Sequence, residues 1–270
     1  MKKNFLFISM IAIAFAACKK DDTPASGGTT PTAVSITSSD IGNAGDTILM
    51  NVDTTNLPAL SLVAGQNLTW DISMLGTDRI DTMAFLDPST TPGYNFFTTT
   101  NIAMQPEAGQ PIYMYLNKST DKVEGIGIWA DFQGTVTHAE YTDRPILMKF
   151  PMAYGNSYSD SAHLETVVNM NNQWIKIELN QKINSQVDAS GTIKLPNNVS
   201  FQCIREKRTE INNQVIYFGF TQSGPWTPFQ TLNDTAYDYI FYAKNQKWQV
   251  ADISVVDFTS NTIREIMYKK

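Results

Sequence analysis

Beyond about residue 34, apolar and polar positions alternate along the chain at a spacing of two residues. Five runs show this spacing most clearly, and their apolar members are Ile48, Met50 and Val52; Ile175, Ile177 and Leu179; Val199, Phe201 and Cys203; Tyr237, Tyr239 and Phe241; and Ile253 and Val255. A spacing of two predicts strands with one buried face, and the Thr, Val, Ile, Tyr and Phe of these runs favour strands. No stretch has the pattern of an amphipathic helix of three turns.

Clusters of proline, glycine and asparagine separate the predicted strands at 87–93, 105–111, 195–198 and 223–228. Many short strands with such turns favour an all-β fold, specifically an antiparallel β-sandwich or a jelly roll. The best candidate for a boundary between two halves is 143–156, which contains two prolines and a glycine. Because no internal repeat is present, we expect one continuous body over 34–270, with two smaller domains as the alternative.

The N-terminus has a different pattern, that of a bacterial lipoprotein signal peptide over residues 1–17. Two lysines precede an apolar run from Phe5 to Phe15, which is too short to span a bilayer as a mature helix. Two alanines then precede Cys18, and small residues before a cysteine are the pattern that lipoprotein processing recognises. The alternative is an ordinary signal peptide with a chance cysteine. The sequence predicts a lipid on Cys18 that anchors the protein to a membrane.

The segment 18–33 predicts a flexible tether. Lys19-Lys20-Asp21-Asp22 resembles the export signal of Bacteroidota lipoproteins, which places the protein on the outer membrane with its body facing the cell exterior. Pro, Ala, Ser, Gly and Thr then follow, with no large apolar side chain to bury. About fifteen such residues have an r.m.s. reach of roughly 20 Å, so the body would stay near the membrane.

The net charge of the chain argues against some classes of binding partner, and its two cysteines limit its disulfides. The net charge is −6, and removal of the signal leaves 18 basic against 26 acidic residues. An acidic chain without a basic stripe argues against nucleic acid and against electrostatic docking to anionic lipid. With Cys18 lipidated, Cys203 has no partner for an intramolecular disulfide. Cys203 falls on the same face of its predicted strand as Phe201, which predicts that its thiol lies in the core.

No catalytic or metal-binding pattern stands out. The only two histidines, His138 and His163, lack metal-ligand spacing, and no G-x-S-x-G motif is present. Six acids could supply a hydrolytic pair, but their spacing selects none; they are Asp71, Asp78, Asp81, Asp131, Glu140 and Glu165. We therefore predict no catalytic residues, no metal and no cofactor, and expect that the protein is not an enzyme.

Two tryptophans are the candidate ligand-binding residues. Trp226 lies in a Gly-Pro-Trp-Thr-Pro stretch, which we expect to be a stiff loop, and Trp174 falls on the polar face of its strand. Exposed, rigid aromatic side chains can stack on sugar rings or anchor a partner protein. The alternative is that both cover an end of the sandwich. Trp70, Trp129 and Trp248 are predicted to lie in the core.

Four phrases resemble those of a group of uncharacterised secreted β proteins of Bacteroidota. These phrases are 68–73 (LTWDIS), 150–156 (FPMAYGN), 191–197 (GTIKLPN) and 237–242 (YDYIFY). In that group the region often precedes a type IX secretion sorting domain, in place of which this chain would use its lipid anchor. The resemblance implies an all-β secreted body and no assigned activity.

Anchor, tether and body together predict a surface lipoprotein that acts as a non-catalytic interaction or glycan-contacting module, with a glycan or an envelope protein as its partner. One alternative is a secreted, glycan-directed hydrolase on a β-sandwich. Another is a structural component of the envelope. Fold class alone does not choose among the three.

Five sites have Asp, then Ser or Thr, then a small or aliphatic residue, which resembles the O-glycosylation pattern of exported Bacteroidota proteins. The acceptors would be Thr47, Thr54, Thr82, Ser161 and Thr235. Asp and Thr also cap turns before strands, which is the alternative explanation.

We expect at least two of these acceptors to carry a glycan in protein purified from its native host, because a bulky, solubilising modification suits an exposed surface. Intact-mass spectrometry before and after chemical deglycosylation measures this. A native mass with no added hexose-sized increment would contradict the prediction.

Overall fold

The computed structural model describes residues 34–132, 134–170 and 172–270, with only the backbone of Phe132. The predicted signal peptide, the predicted lipidation site Cys18 and the predicted tether over 18–33 lie outside the described residues. Within them, regular structure is almost entirely β, with four short 3₁₀ helices and no α-helix. No helix of this part of the chain is long and apolar enough to cross a membrane. The prediction of an all-β, antiparallel fold is confirmed.

The described strands are, in chain order, β1 Ser35–Ile36, β2 Thr47–Asp53, β3 Gly65–Asp71, β4 Arg79–Leu86, β5 Ile102–Gln105, β6 Ile112–Lys118, β7 Lys122–Phe132, β8 Thr135–Asp143, β9 Ile146–Lys149, β10 Met152–Ala153, β11 Ser157–Met170, β12 Gln173–Lys194, β13 Ser200–Gly219, β14 Trp226–Ala243, β15 Gln249–Val255 and β16 Ile263–Lys269. The 3₁₀ helices are Ser38–Asp40, Pro88–Thr90, Tyr94–Phe96 and Pro196–Asn198.

Twelve of these described strands form one antiparallel sheet that closes on itself. Its order is β11-β8-β7-β6-β5-β4-β2-β16-β15-β14-β13-β12, and β12 pairs in turn with β11. The prediction of a sandwich or jelly roll is therefore corrected, because β11 is paired on both edges and two separate stacked sheets do not form. Around the proposed boundary at 143–156, the strands β8 and β11 pair with each other in this same sheet.

The two faces of the closed sheet carry separate cores. Strands from all around the ring contribute to one apolar cluster, so this cluster lies on the enclosed face; its members include Ile48, Met50, Phe85, Met104, Leu116, Val123, Ile204, Ile240 and Tyr242. The second cluster lies outside, where β3 and its flanking loops cover β12 to β16; its members include Trp70, Ile72, Ile193, Cys203, Tyr239, Phe241, Ile253 and Tyr268. Alternate residues of one strand thus enter different cores.

The packing bears on the sequence predictions for three tryptophans and for Cys203. Trp70 and Trp129 are buried, and Trp248 is partly buried with its ring 5.5 Å from that of Phe85. Cys203 is fully buried, and burial raises its thiol pKa to about 12. The thiol is therefore a core group, as the sequence predicts.

Four consecutive strands are longer than the others and extend past the ring. They are β11 to β14, with 14, 22, 20 and 18 residues. β8 pairs with β11 only at His163 and Leu164, and β15 reaches no further along β14 than Tyr237. Beyond those points the four strands continue as an antiparallel sheet, which β8 still contacts through side-chain hydrogen bonds at Thr166. We call this part, residues 165–182 and 211–236, the projection.

The covering strand β3 approaches β12 closely at Gly191, which pairs with Leu68 in parallel register. A Cβ atom added at Gly191 would lie 2.0 Å from the carbonyl oxygen of Leu68. Only glycine therefore allows the two backbones to meet and the outer core to be closed by Trp70.

Gly191→Ala should lower the free energy of unfolding by about 1–3 kcal/mol, the usual cost of forcing extra atoms into a packed site. Urea denaturation followed by tryptophan fluorescence measures the change. Ser190→Ala, at the next position, adds no atom against Leu68 and is the control. Equal stability of the two variants would contradict this account of β3.

Candidate functional site

The projection brings the two predicted ligand-binding tryptophans together. Trp174 pairs with Gly219 on β13, and Gly219 pairs with Trp226 on β14. Directly opposed residues share a face, so both tryptophans lie on one face of the sheet, about 10 Å apart across two strand spacings. This is the outer face, because Ile183 and Val187 of β12, at the alternate positions, point into the ring.

Gly219 leaves room for the indole of Trp226. A Cβ atom at Gly219 would lie 2.7 Å from Cζ3 of that ring, so the indole of Trp226 packs directly against the backbone of Gly219. Gly219 lies between the two tryptophans in the row. Trp226 is half-buried and is the first residue of β14. The prediction of a loop position is therefore corrected: strand pairing holds Trp226, and the turn that precedes it is closed by a hydrogen bond from Thr221 Oγ1 to the Gly224 carbonyl.

Tyr217 adds a third aromatic ring in the neighbouring row. It is opposed by Lys176 on β12 and by Pro228 on β14. The Lys176 ammonium lies 4.5 Å from the centroid of the Tyr217 ring, and the Tyr217 hydroxyl donates to Glu178 Oε2 at 2.7 Å. Sequence analysis missed Tyr217 and Gly219, since their relevance depends on which strands are neighbours.

A compact group of charges lies beside the aromatic rings. Glu165 and Glu178 oppose each other on β11 and β12, and Lys176 contacts both, with Nζ 3.4 Å from Glu165 Oε2. The hydrogen bond with Glu178 raises the pKa of Lys176, and the same contact lowers the pKa of Glu178. A general acid needs the opposite shift, a raised carboxyl pKa, so this pair is arranged to stay charged.

Of the six candidate acids, only Glu165 belongs to this group. The other five are engaged elsewhere: Asp71 with Lys194, Asp78 with the Thr54 amide and hydroxyl, Asp81 with Arg79, Asp131 with the Gly134 amide and Glu140 with Arg144.

Amide side chains continue the outer face toward the ring. His163 Nδ1 lies 2.9 Å from Asn180 Oδ1, and Asn213 Nδ2 donates to Asn233 Oδ1 at 2.6 Å. The register aligns these four residues in one row across the four strands. The row therefore offers hydrogen-bond donors and acceptors in fixed positions at the surface.

We call the four rows together the aromatic–amide face. Its residues are Asn169, Trp174, Gly219 and Trp226; Val167, Lys176, Tyr217 and Pro228; Glu165, Glu178, Val215 and Thr231; and His163, Asn180, Asn213 and Asn233. At about 3.4 Å per residue and 4.8 Å per strand, it measures roughly 20 Å along the strands and 14 Å across them.

Two of the predicted O-glycosylation acceptors border this face. The next row holds Ser161 on β11, Lys182 on β12 and Thr235 on β14, with Ile211 between the last two. Ser161 is exposed and Thr235 half-buried; of the other acceptors, Thr47 and Thr54 are exposed and Thr82 is half-buried. Glycosylation at these positions stays a prediction.

A second group of charges is enclosed by the ring. Glu206, Arg208 and Glu210 follow one another on the inner face of β13, and Asp238 and Asp252 face them from β14 and β15. Arg208 Nη1 donates to the Leu147 carbonyl at 3.1 Å, and its Nη2 lies 3.9 Å from Glu210.

One arginine does not balance four buried carboxyls. Burial raises the carboxyl pKa of Glu210 to about 7 and of Asp238 to about 6, and it also raises those of Glu206 and Asp252. The enclosed cluster therefore holds protons near neutral pH.

A cavity of about 300 Å³ lies near this cluster, between the β9–β10 connection and the inner ends of β11 and β12. Tyr158 and Ser185 form its inner wall; Tyr158 donates to the Leu147 carbonyl at 3.0 Å, and Ser185 donates to Glu206. None of the four buried acids lines this cavity. Among the described residues, no group of three or more His, Cys, Asp or Glu side chains is arranged to hold a metal ion.

Comparisons of the chain with protein-family models, with curated proteins and with solved structures find no match. The resemblance to secreted Bacteroidota proteins therefore stays a prediction. The geometry of the chain's own residues is what supports a function, and the aromatic–amide face combines three half-buried aromatic rings with fixed polar groups.

The enclosed acids should make the protein more stable in mild acid than in mild base. Their pKa values lie above those of the unfolded chain, so folding takes up protons. The resulting stabilisation is present below about pH 4 and is lost as pH rises through the folded-state values of about 6 and 7. We expect the free energy of unfolding to fall by roughly 2 kcal/mol between pH 5 and pH 8, measured by urea denaturation.

Glu210→Gln should reduce this pH dependence, because glutamine is neutral at every pH and its oxygen can still accept from Gln181. Glu140→Gln, at an exposed position, is the matched control and should leave the dependence unchanged. Stability that rises steadily from pH 5 to pH 8 would contradict the assignment.

Proposed function

We propose that this protein is a membrane-anchored surface lipoprotein whose body binds a glycan, without catalysis, through the aromatic–amide face. The observation that carries the proposal is the row Trp174, Gly219 and Trp226 beside Tyr217, half-buried on the same outer face as paired amide side chains. The localisation and the anchor rest on Cys18 and the residues around it.

The chemistry of the face matches that of sugar rings. A pyranose has flat C–H surfaces, which stack on aromatic rings, and hydroxyl groups at its rim, which need hydrogen-bond partners when they lose water. Trp174, Tyr217 and Trp226 offer the first kind of contact, and Asn180 and Asn213 the second. Hydrogen bonding along four strands holds these side chains in place before binding, which limits the entropy lost on association.

The shape of the face favours a polymer over an enclosed small molecule. It is a sheet surface of roughly 20 by 14 Å, whereas small-molecule sites are usually concave and bury most of the ligand. A chain of sugars can lie across such a surface and extend beyond it at both ends.

A non-catalytic role is supported by the charges on the face. Glycoside hydrolysis needs a carboxylic acid that stays protonated until it donates to the leaving group. Glu178 has a lowered pKa because Lys176 and Tyr217 stabilise its ionised form. The acids with raised pKa values, among them Glu206 and Glu210, are buried inside the ring.

Trp226→Ala and Trp174→Ala should each weaken polysaccharide binding about tenfold, because burial of an aromatic side chain contributes about 1.5–3 kcal/mol. Affinity electrophoresis in gels that contain single soluble polysaccharides measures the loss as reduced retardation of the full chain.

Phe220→Ala is the matched control, since Phe220 is 97% exposed in the turn next to Gly219 but lies outside the aromatic–amide face. It should keep the wild-type retardation. A wild-type chain that no polysaccharide retards would contradict the proposed function, as would full retardation of the Trp174→Ala, Trp226→Ala double variant.

A further inference from the structure

The charges nearest the aromatic rings are unequal in their access to solvent. The side chain of Lys176 is 13% exposed, whereas those of Glu165 and Glu178 are 43% and 22% exposed. The ammonium group is shared between both carboxylates and also lies over the Tyr217 ring. A ligand that approaches this group therefore meets carboxylate oxygens before it meets the cation, and the group carries a net charge of −1.

Besides these three residues, the projection carries only two charged side chains, Lys182 and Asp234. The stretches 166–175 and 211–233 contain no Asp, Glu, Lys or Arg. Lys182 is on the same face, four residues from Glu178, about 14 Å along the strand, which exceeds the Debye length of about 8 Å at physiological salt. Asp234 is opposed by Asn212, on the inner side of the sheet, and adds a further negative charge to the projection.

We infer that the glycan bound by the aromatic–amide face is uncharged, and that chains bearing carboxylate or sulfate groups are excluded from it. This inference rests on the proposed function and specifies its ligand class. Recognition of an anionic sugar needs a free guanidinium or ammonium group, and the one ammonium on the aromatic–amide face already has two carboxylate partners. An anion stacked on Tyr217 would also approach Glu178, to which the Tyr217 hydroxyl is bonded, and like charges brought together without a counterion weaken binding.

The test compares polysaccharides that share a backbone and differ in charge. Hydroxyethyl cellulose is paired with carboxymethyl cellulose, and dextran with dextran sulfate, and the full chain is run through gels containing each at a low salt concentration of about 0.1 M. Within any pair that is bound, we expect the anionic member to bind at least tenfold more weakly. The difference should shrink as salt rises to about 0.3 M, because screening removes the repulsion.

The Glu165→Gln, Glu178→Gln double variant changes the local net charge from −1 to +1 and frees Lys176. The ratio of anionic to neutral binding should rise at least tenfold in this variant. Lys149→Gln, at an exposed position on β9 outside the projection, also removes one charge and should leave the ratio unchanged.

The outcomes separate the two proposals. Equal or tighter binding of the anionic member by the wild-type chain at low salt overturns the inference while the glycan-binding function stands. An unchanged ratio in the double variant overturns it as well. Failure of the wild-type chain to bind any of the four polysaccharides, or a wider panel, overturns the glycan-binding function and the inference with it.

Discussion

The pairing of β11 with β12 is the constraint on which the rest of the structure depends. Its register runs without interruption from Ser157 opposite Gln186 to Met170 opposite Gln173. At the inner end, this hairpin joins β8 on one side to β13 on the other and so closes the sheet. At the outer end, the same two strands continue past the end of their pairing with β8 and form half of the projection. Closure of the core and presentation of the candidate site therefore have one cause.

Closure also explains why β13 buries charge on both faces. Arg205 points outward, where it pairs with Asp188 at 2.8 Å and lies over the rings of Trp70 and Tyr239. Arg208 points inward, among Glu206 and Glu210. A buried ion pair adds little net stability but is costly to break, since one partner then stays buried and unpaired. Of the charged run Arg205-Glu206-Lys207-Arg208, all but Lys207 are buried.

The inner and outer charge clusters differ because their surroundings differ. Inside the ring, burial dominates and the carboxyl pKa values rise, so protonation relieves the surplus of acids. On the projection, water and a nearby ammonium keep Glu178 ionised. The first cluster couples folding to pH, and the second sets the charge that a ligand meets. Aromatic side chains beside the second cluster, held by a sheet that the closed ring supports, are the basis of our proposal that this surface binds a glycan.

The sequence by itself determined the strands and the faces of their residues, because side chains alternate along a strand whatever its partners are. As predicted, Ile48, Met50 and Val52 are buried. Trp174 lies on the polar face of β12, and the next residue, Ile175, lies on the other face. Tertiary structure decided which strands are neighbours: a closed ring instead of a sandwich, and Trp174 and Trp226 on either side of Gly219. Hydrogen bonds between strands join backbone groups that nearly every residue carries, so the spacing of apolar residues does not predict which strands are neighbours. The packing of whole strands around two cores determines the order of the strands.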